Sequence, residues 1–329
     1  MRSARTWYRL ALAVGLALGI LAVLSFLPTP YILRAPGKAQ DVAPMIKIPG
    51  KPPAPRDGKL LLTTVIYDKA TALYCLYALM DPKAELLPHN PGPEGRELLD
   101  SQSDQMDRSQ YLSKVAALLY LGYDLRPEAR GALVLGILPG SPAEGVLATG
   151  DVVTEANGKA VRRAEELTGI VRGTVGGPVR LTYRRNDRLQ HAELTPYEAM
   201  IGGEQRRVLG LQVRTDLELQ ELPVQIDIEA GNVSGASAGL IFALGIVDRL
   251  GTVDLTRGRL VAGTGTLDAL GRVGGVFGSG LKVVAAERAG ATAFLCPPEN
   301  LAEARSFATR INVVPVGSLR EAVEWLSSK

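Results

Sequence analysis

An unbroken apolar run near the N-terminus constrains this chain more than any other feature of its sequence. Residues 10–27 read LALAVGLALGILAVLSFL, with no charged side chain, and Arg2, Arg5 and Arg9 precede the run. As a helix, the run would extend about 27 Å, close to the thickness of a bilayer core. The positive-inside rule then puts the N-terminus in the cytoplasm and residues 30–329 outside. The run therefore predicts a single-pass helix at the cell membrane, with an extracytoplasmic body.

Two other interpretations of this run remain open. A cleaved signal peptide normally has a shorter apolar region of about 7–15 residues. It also needs a small-x-small cleavage site, which the sequence SFLPTPY at 25–31 lacks. A buried core helix is the weaker alternative, because this run is apolar all round and begins at the start of the chain. We therefore expect an uncleaved anchor, with residues 1–29 forming a cytoplasmic stub and the transmembrane segment.

Composition narrows the classes of function. The chain has 329 residues, of which 46% are hydrophobic, and this suits two or three domains with buried cores. The formal net charge is +3 without a basic cluster, so no nucleic-acid partner is expected. Because neither CxxC nor HExxH occurs, no metal or cofactor is expected either. Whether Cys75 and Cys296 pair stays open, since cysteine is also a small buried residue.

Short predicted strands separated by turn signals fill residues 113–200. The predicted elements are strands at 132–138, 152–156 and 179–184, a hairpin turn at Asn157-Gly158, and helices beginning at Ser141 and covering 164–171. The order of strand, SPAEGVLATGDVV, NG, helix and strand resembles a PDZ domain. The resemblance implies an extended peptide as partner, added at a sheet edge. A small β-rich spacer domain is the alternative, and no peptide-binding residue is indicated.

The remaining segments flank this region. Residues 205–329 alternate predicted strands and helices, which is typical of an α+β or α/β domain. The predicted strands are 209–213, 224–229, 260–263, 293–296 and 313–316, and the predicted helices are 238–250, 281–289 and 319–327. Residues 30–112 are predicted to be a linker and an N-terminal extracytoplasmic region. They include a proline-rich connection at 28–58, a strand at 60–67 and a helix starting at Ser109.

A serine in the last domain is a candidate nucleophile. Ser237 lies in GASAG at the start of a predicted helix, where free backbone N–H groups favour developing negative charge. Helix capping by Ser237 or Ser234 is the alternative. The GxSxG pattern of α/β-hydrolases needs a later histidine, but His89 and His191 both precede the serine. Another base is therefore required, and lysine is the next candidate.

Lys282 has the surroundings that such a base requires. It lies in LKVVAAERAGA, an unusually apolar setting for an ammonium group. A lysine serves as a base only when it is neutral, and burial favours the neutral form. The alternative is an ordinary surface lysine on an amphipathic helix.

Three consecutive segments resemble the Lon-type peptidase domain, namely GASAGLIFALGIVDRL, GTGTLDALGRVGGV and LKVVAAERAGA. The resemblance implies that Ser237 is the nucleophile, that Lys282 is its base and that Thr264 supports the geometry of the lysine. We further expect backbone N–H groups around Gly235 and Ala236 to stabilise the oxyanion.

The chain departs from this resemblance in two places. Ala236 precedes the nucleophile where the family commonly has proline. The segment from Val276 to Leu281, which separates the Gly-rich turn from Lys282, is longer than usual. Both departures concern fine geometry rather than the identity of the two catalytic residues.

The chain as a whole resembles the membrane-anchored Lon-like PDZ proteases of bacteria. The predicted fold is α+β and multidomain: a transmembrane helix, a PDZ-like β-rich domain, and a Lon-type α/β peptidase domain at 205–329. The implied function is an endopeptidase that cleaves extracytoplasmic peptides or exposed protein segments, with the PDZ domain aiding substrate selection. It is expected to be ATP-independent, since GxxxxGK[ST] does not occur. Assembly into a homo-oligomer is compatible with the resemblance, because Lon-type domains tend to assemble.

Two other functions remain open. One is a catalytically inactive PDZ scaffold that binds extracytoplasmic partners. The other is a self-processing protein whose only substrate is its own linker.

Overall fold

The structure is a computed structural model, and it divides the chain into two compact units. It describes residues 2–52, 57–88, 94–201, 204–218, 221–231, 233 and 235–328. His89 and Ser234, considered above, lie outside these ranges. The first unit combines Met1–Leu125 with Leu222–Lys329, and the second unit is Arg126–Glu221.

Both helices and strands occur in the described residues, so the protein is mixed α/β. The helices are α1 (Arg2–Phe26), α2 (Ala72–Met80), α3 (Glu94–Tyr120), α4 (Ala164–Gly173), α5 (Gly239–Leu250), α6 (Ser279–Arg288), α7 (Leu301–Phe307) and α8 (Leu319–Ser328). The strands are β1 (Pro28–Asp41), β2 (Ile46–Lys47), β3 (Lys59–Thr71), β4 (Glu85–Pro88), β5 (Ala129–Ile137), β6 (Val152–Ala156), β7 (Lys159–Ala160), β8 (Val179–Arg185), β9 (Arg188–Leu194), β10 (Tyr197–Ile201), β11 (Glu204–Val208), β12 (Leu211–Leu217), β13 (Asp227–Ile228), β14 (Leu260–Gly263), β15 (Thr266–Leu267), β16 (Val273–Gly274), β17 (Ala293–Cys296) and β18 (Asn312–Pro315).

Helix α1 does not serve as the predicted membrane anchor. It ends at Phe26, so it holds only residues 10–26 of the apolar run. Within the described ranges, none of the helices has the length and apolarity that crossing a bilayer requires. The predictions of a transmembrane helix and of a single-pass localisation at the cell membrane are therefore wrong.

A six-stranded sheet forms the centre of the first unit. Its strand order is β18-β17-β14-β3-β1-β4, with the first four strands parallel and the last two antiparallel to their neighbours. Successive side chains of a strand point to opposite faces. Accordingly, Leu60 and Leu62 of β3 pack with α3, α5 and α8, whereas Leu61 packs with α6 and α7. Helices thus cover both faces of the sheet.

The first part of the proline-rich connection, residues 28–41, forms strand β1 rather than a loop. It pairs antiparallel with β3, and the register shifts between Pro28 and Ile32 and again between Pro36 and Ala39. Proline cannot donate a ladder hydrogen bond, so interruptions beside prolines are expected. Because β1 and β3 share a sheet with β14, part of region 30–112 belongs to the same unit as the C-terminal residues. From the sequence, region 30–112 and residues 205–329 were predicted to be separate parts of the chain.

An antiparallel sheet forms the second unit. Its strand order is β12-β5-β6-β8-β9, with β7 beside β6 and α4 packed against the buried face. The hairpin predicted at Asn157-Gly158 joins β6 to β7, and both residues have the positive φ that such a turn needs. The helix predicted from Ser141 is wrong, because residues 142–146 form turns. Gly145, at φ 74°, leaves the helical region there.

The two cysteines are free thiols, so they do not pair with each other. Cys296 is buried in β17, and burial raises the pKa of its thiol to about 11. This thiol therefore stays protonated at neutral pH and acts as a small apolar side chain.

Gly245 of helix α5 provides a test of this packing. A Cβ atom at Gly245 would lie 2.5 Å from Ile46 Cδ1 and 3.0 Å from Val42 Cγ2. We expect Gly245→Ala to lower the free energy of unfolding by about 1–3 kcal/mol, because overpacking outweighs the better helix propensity of alanine. Urea denaturation measures this change.

Two further variants make the test specific. Adding Ile46→Val removes the Cδ1 atom that the new methyl group would strike, so the double variant should regain part of the loss. Gly169→Ala is the helical control, since nothing lies within 4 Å of its added Cβ. A Gly245→Ala variant as stable as the parent chain would contradict the close approach of α5 to Ile46.

Candidate active site

Ser237 lies in a tight turn that leads into helix α5. The 3₁₀ turn Ala236–Ala238 carries it, and Gly235 precedes the turn at φ 87°, a conformation that favours glycine. Neither the turn nor α5 has a side-chain cap, so Ser237 is not an N-cap. Its Oγ atom instead lies 2.5 Å from Lys282 Nζ. The structure thus brings together the two residues that the sequence singled out.

Helix α3 holds this turn from one side. Ser109 Oγ donates to the carbonyl oxygen of Ala236 at 3.1 Å, and Ser113 Oγ lies 2.9 Å from the carbonyl oxygen of Gly239. The sequence predicted Ser109 as the start of a helix, whereas it lies in the interior of α3. From there its hydroxyl reaches the neighbouring segment. Helix α3 therefore fixes the backbone on both sides of Ser237.

Lys282 is a buried lysine, with only 4% of its surface exposed. It occupies the first turns of α6, between Leu281 and Val283, which are themselves buried. Burial lowers the pKa of the amine to about 8, and the charge of Glu303 opposes this by raising it. The alternative of a surface lysine is thereby excluded. With such a pKa, about a tenth of the amine is neutral at pH 7.

Thr264 connects the lysine to the backbone of the nucleophile. Lys282 Nζ donates to Thr264 Oγ1 at 3.0 Å, and Thr264 Oγ1 donates to the carbonyl oxygen of Ser237 at 3.0 Å. The same carbonyl oxygen accepts from Gly265 N at 2.9 Å. The threonine hydroxyl has one hydrogen, which goes to Ser237, so it faces the lysine as an acceptor. A neutral amine that donates to Thr264 can turn its lone pair toward Ser237 Oγ.

Sequence reasoning missed Glu303 in helix α7. Its carboxylate accepts from Ser279 Oγ at 2.6 Å and from Gly280 N at 3.2 Å, both in the first turn of α6. Glu303 thus caps the helix that carries Lys282, and it places a negative charge near the amine. No motif in the sequence links the two residues, because the contact depends on how α6 packs against α7.

A second carboxylate anchors the other end of α6. Burial alone would raise the pKa of Glu287, but hydrogen bonds from the backbone N–H groups of Arg310, Ile311 and Thr309 lower it to about 2. These bonds stabilise the fold fully above the ordinary value of 4.5, and the stabilisation is lost as pH falls toward 2. Helix α6 is therefore held at both ends.

A groove of about 860 Å³ opens over Ser237 and Lys282. Strand β3 forms one of its walls. β14 pairs with β3 only from Lys59 to Leu62, although β3 continues to Thr71. Among the described strands, none pairs with residues 63–68 on the side that β14 leaves open. Within the described ranges this edge of β3 has no strand partner, and such an edge can pair with an extended peptide.

The expected oxyanion residues lie beside the nucleophile. Gly235 lines the groove together with Ser237. Ala236 begins the 3₁₀ turn, and its carbonyl oxygen is occupied by Ser109. The assignment of the backbone N–H groups of Gly235 and Ala236 to an oxyanion hole stays a prediction.

The second unit has its own candidate peptide site, which the sequence did not indicate. β12 is an edge strand of its sheet, and it lies beside α4, where Ala164 N donates to Thr215 Oγ1 at 3.2 Å. Gly210 precedes β12 at φ 76°, and a Cβ atom there would lie 2.2 Å from Ser141 Cβ. An edge strand beside a helix is the arrangement to which extended peptides add a strand.

Comparisons with known proteins bear on this second unit. Residues 120–195 match the PDZ domain family. Similar solved structures include the PDZ domains of SdrC-like proteins from Listeria innocua (24% identity, 25% of this chain, 92% of that chain, TM-score 0.23) and Listeria monocytogenes (23% identity, 27% of this chain, 93% of that chain, TM-score 0.25). A protein from Geobacillus thermodenitrificans is also similar (31% identity, 24% of this chain, 92% of that chain, TM-score 0.22). No curated protein matches the chain.

The family match shows that the chain contains a PDZ domain. PDZ domains bind extended peptides, so a role in protein interaction or substrate binding follows. The prediction of a PDZ domain and of a peptide or protein partner is confirmed at this level.

The pKa of Lys282 tests the electrostatics of the first site. We expect Glu303→Gln to lower it below the value of about 8, because the substitution removes the charge that raises it. NMR titration of lysines labelled with ¹³C at Cε measures the pKa, and Lys282→Met identifies the resonance. Glu324→Gln removes the same charge from an exposed position on α8 and should leave the pKa unchanged. A pKa that stays the same or rises in Glu303→Gln would contradict this role of Glu303.

Proposed function

We propose that the chain is a serine endopeptidase in which Ser237 is the nucleophile and Lys282 the general base. The observation that carries the proposal is the 2.5 Å contact between Ser237 Oγ and a buried amine, in a groove with an open strand edge. The Lon-type sequence resemblance around both residues supports it. So does the PDZ domain, because it gives the chain a means of binding peptides.

The reaction is acyl transfer through an acyl-enzyme. Neutral Lys282 takes the proton of Ser237 Oγ as this oxygen attacks the carbonyl carbon of the scissile peptide bond. The resulting ammonium group then gives that proton to the leaving nitrogen as the C–N bond breaks. A water molecule, deprotonated in turn by Lys282, attacks the ester carbonyl carbon. The C–O bond to Ser237 Oγ breaks, Lys282 gives the proton it took from water to this oxygen, and the carboxylic acid product leaves.

Thr264 and the start of α5 have supporting roles in this proposal. Thr264 accepts a hydrogen bond from one N–H of Lys282 and thereby directs the lone pair of the amine to Ser237. In this proposal the negative oxygen of the tetrahedral intermediate forms beside the 3₁₀ turn that precedes α5, where backbone N–H groups stabilise negative charge. We assign the backbone of Gly235 and Ala236 to this stabilisation.

The substrates are peptides or exposed segments of proteins in an extended conformation. An extended chain can pair with residues 63–68 of β3, which lie along the groove. Because the sequence has no GxxxxGK[ST] motif, we propose that hydrolysis is ATP-independent. Tightly folded domains are therefore poor substrates, and the PDZ domain aids selection among accessible ones.

A scaffold without catalysis is the second candidate function. The PDZ domain with its open β12 edge is sufficient for binding partners and requires nothing of Ser237 or Lys282. The two candidates differ in one respect that can be measured, which is the cleavage of peptides.

Substitution of either member of the dyad tests the peptidase. We expect Ser237→Ala and Lys282→Met each to lower kcat/KM for peptide cleavage by at least about 10³-fold, since residues that act as a unit lose similar amounts individually. Lys69→Met, on the exposed part of β3, is the matched lysine control and should retain activity. Circular dichroism establishes that each variant is folded. Cleavage that survives Ser237→Ala would exclude the dyad, and absence of cleavage by the parent chain would favour the scaffold.

A further inference from the structure

An aromatic ring is exposed to water at the groove over Ser237. Phe277 has 94% of its surface exposed, and it lines the same groove as Ser237 and Lys282. A phenyl ring is among the side chains that gain most from burial, so this position is unfavourable in the free chain. A ligand that covers the ring would remove this cost.

The backbone on both sides of Phe277 is held in place. Val276 N donates to Asn300 Oδ1 at 2.9 Å, and Asn300 Nδ2 donates to the carbonyl oxygen of Val276 at 2.8 Å. On the other side, Gly278 precedes α6 at φ 70°, and its carbonyl oxygen accepts from Lys282 N at 3.2 Å. The loop is thus fixed between a buried asparagine and the helix of the lysine. The backbone that carries the ring is thus preorganised, which reduces the entropy lost when a ligand binds there.

The wall of the groove formed by β3 carries apolar side chains beside polar ones, which are Thr63, Thr64 and Asp68. Ile66 and Tyr67 line the groove, and both side chains are exposed. The loop that carries Phe277 abuts this strand, because a Cβ atom at Gly278 would lie 3.2 Å from Val65 Cγ2. A peptide along the open edge of β3 therefore passes beside the ring. Its alternate side chains point to opposite sides of the strand, so one set can reach Phe277.

We infer that Phe277 determines specificity, and that the groove selects peptides with a large apolar side chain beside the scissile bond. This inference rests on the proposed function, because Ser237 defines which bond is cut. A large apolar side chain at this point covers the ring and leaves water with it. A small or charged side chain leaves the ring exposed. The ring lies in the segment from Val276 to Leu281, which is longer than the Lon-type resemblance implies.

Peptide binding to the Ser237→Ala chain tests the inference without catalysis. Two fluorescent peptides with amidated C-termini are compared, one of Ala and Ser only and one with a single Leu in place of a central Ala. We expect the Leu peptide to bind about 10- to 100-fold more tightly, as for an apolar side chain entering an apolar site. Adding Phe277→Ala should reduce this ratio to within about threefold of one, whereas Phe277→Leu should keep most of it.

The control and the cleavage assay make every outcome decisive. Val253→Ala truncates an exposed apolar side chain outside the groove and should leave the ratio unchanged. A ratio that Phe277→Ala does not change overturns the inference, and so does equal binding of the two peptides before that substitution. Mass spectrometry of the Leu peptide after incubation with the unsubstituted chain tests the proposed function separately. If the peptide is cleaved but its binding does not depend on Phe277, the peptidase stands and the apolar site is excluded. If binding depends on Phe277 but the peptide is not cleaved, the apolar site stands and the peptidase is excluded.

Discussion

The burial of one amine, Lys282, is the constraint on which the rest of the site depends. A charged ammonium group is destabilised where little water reaches it, so folding lowers the pKa of the amine and raises its neutral fraction. Below about pH 8 the lysine is protonated in both the folded and the unfolded chain, and the cost of burying its charge is complete. That cost falls as pH rises from about 8 toward the ordinary value of 10.5. The chain therefore gives up stability at neutral pH to hold an amine that can act as a base.

Elements distant in sequence meet around this amine. Thr264 directly follows β14, Ser237 precedes α5, and the lysine itself lies on α6. The end of β14 and the continuing edge of β3 lie at the carboxyl ends of parallel strands, where ligands of open α/β sheets bind. The carboxylates of Glu303 and Glu287 hold the first and the last turn of α6 by hydrogen bonds. The same sheet that buries the amine also supplies the groove in which a substrate would meet Ser237.

Local patterns predicted much of this arrangement, and long-range contacts account for what they missed. Strands β14 and β17 have the predicted bounds, because both are short apolar runs beside turns. Small or apolar neighbours made Ser237 and Lys282 candidates, and the Lon-type resemblance implied their roles. Glu303 was not, since its role depends on how α7 packs against α6. The strand β1 was missed because its prolines resemble a loop and its paired residues lie 20 to 43 positions further along the chain, from Asp41↔Leu61 to Pro28↔Thr71. The apolar composition of the N-terminal run predicted a membrane anchor, and this prediction was wrong.

The rate at which Ser237 reacts with a fluorophosphonate tests the central claim most directly, because it needs no knowledge of the substrate. Mass spectrometry locates the label, and the rate is followed from pH 6 to pH 10. If buried Lys282 is the base, Ser237 alone is labelled. The rate then rises with pH to a plateau with a midpoint near 8, since only the neutral amine accepts the proton. Lys282→Met should abolish the reaction. Labelling of Ser237 that persists in Lys282→Met, or a rate without this rise, would contradict the account.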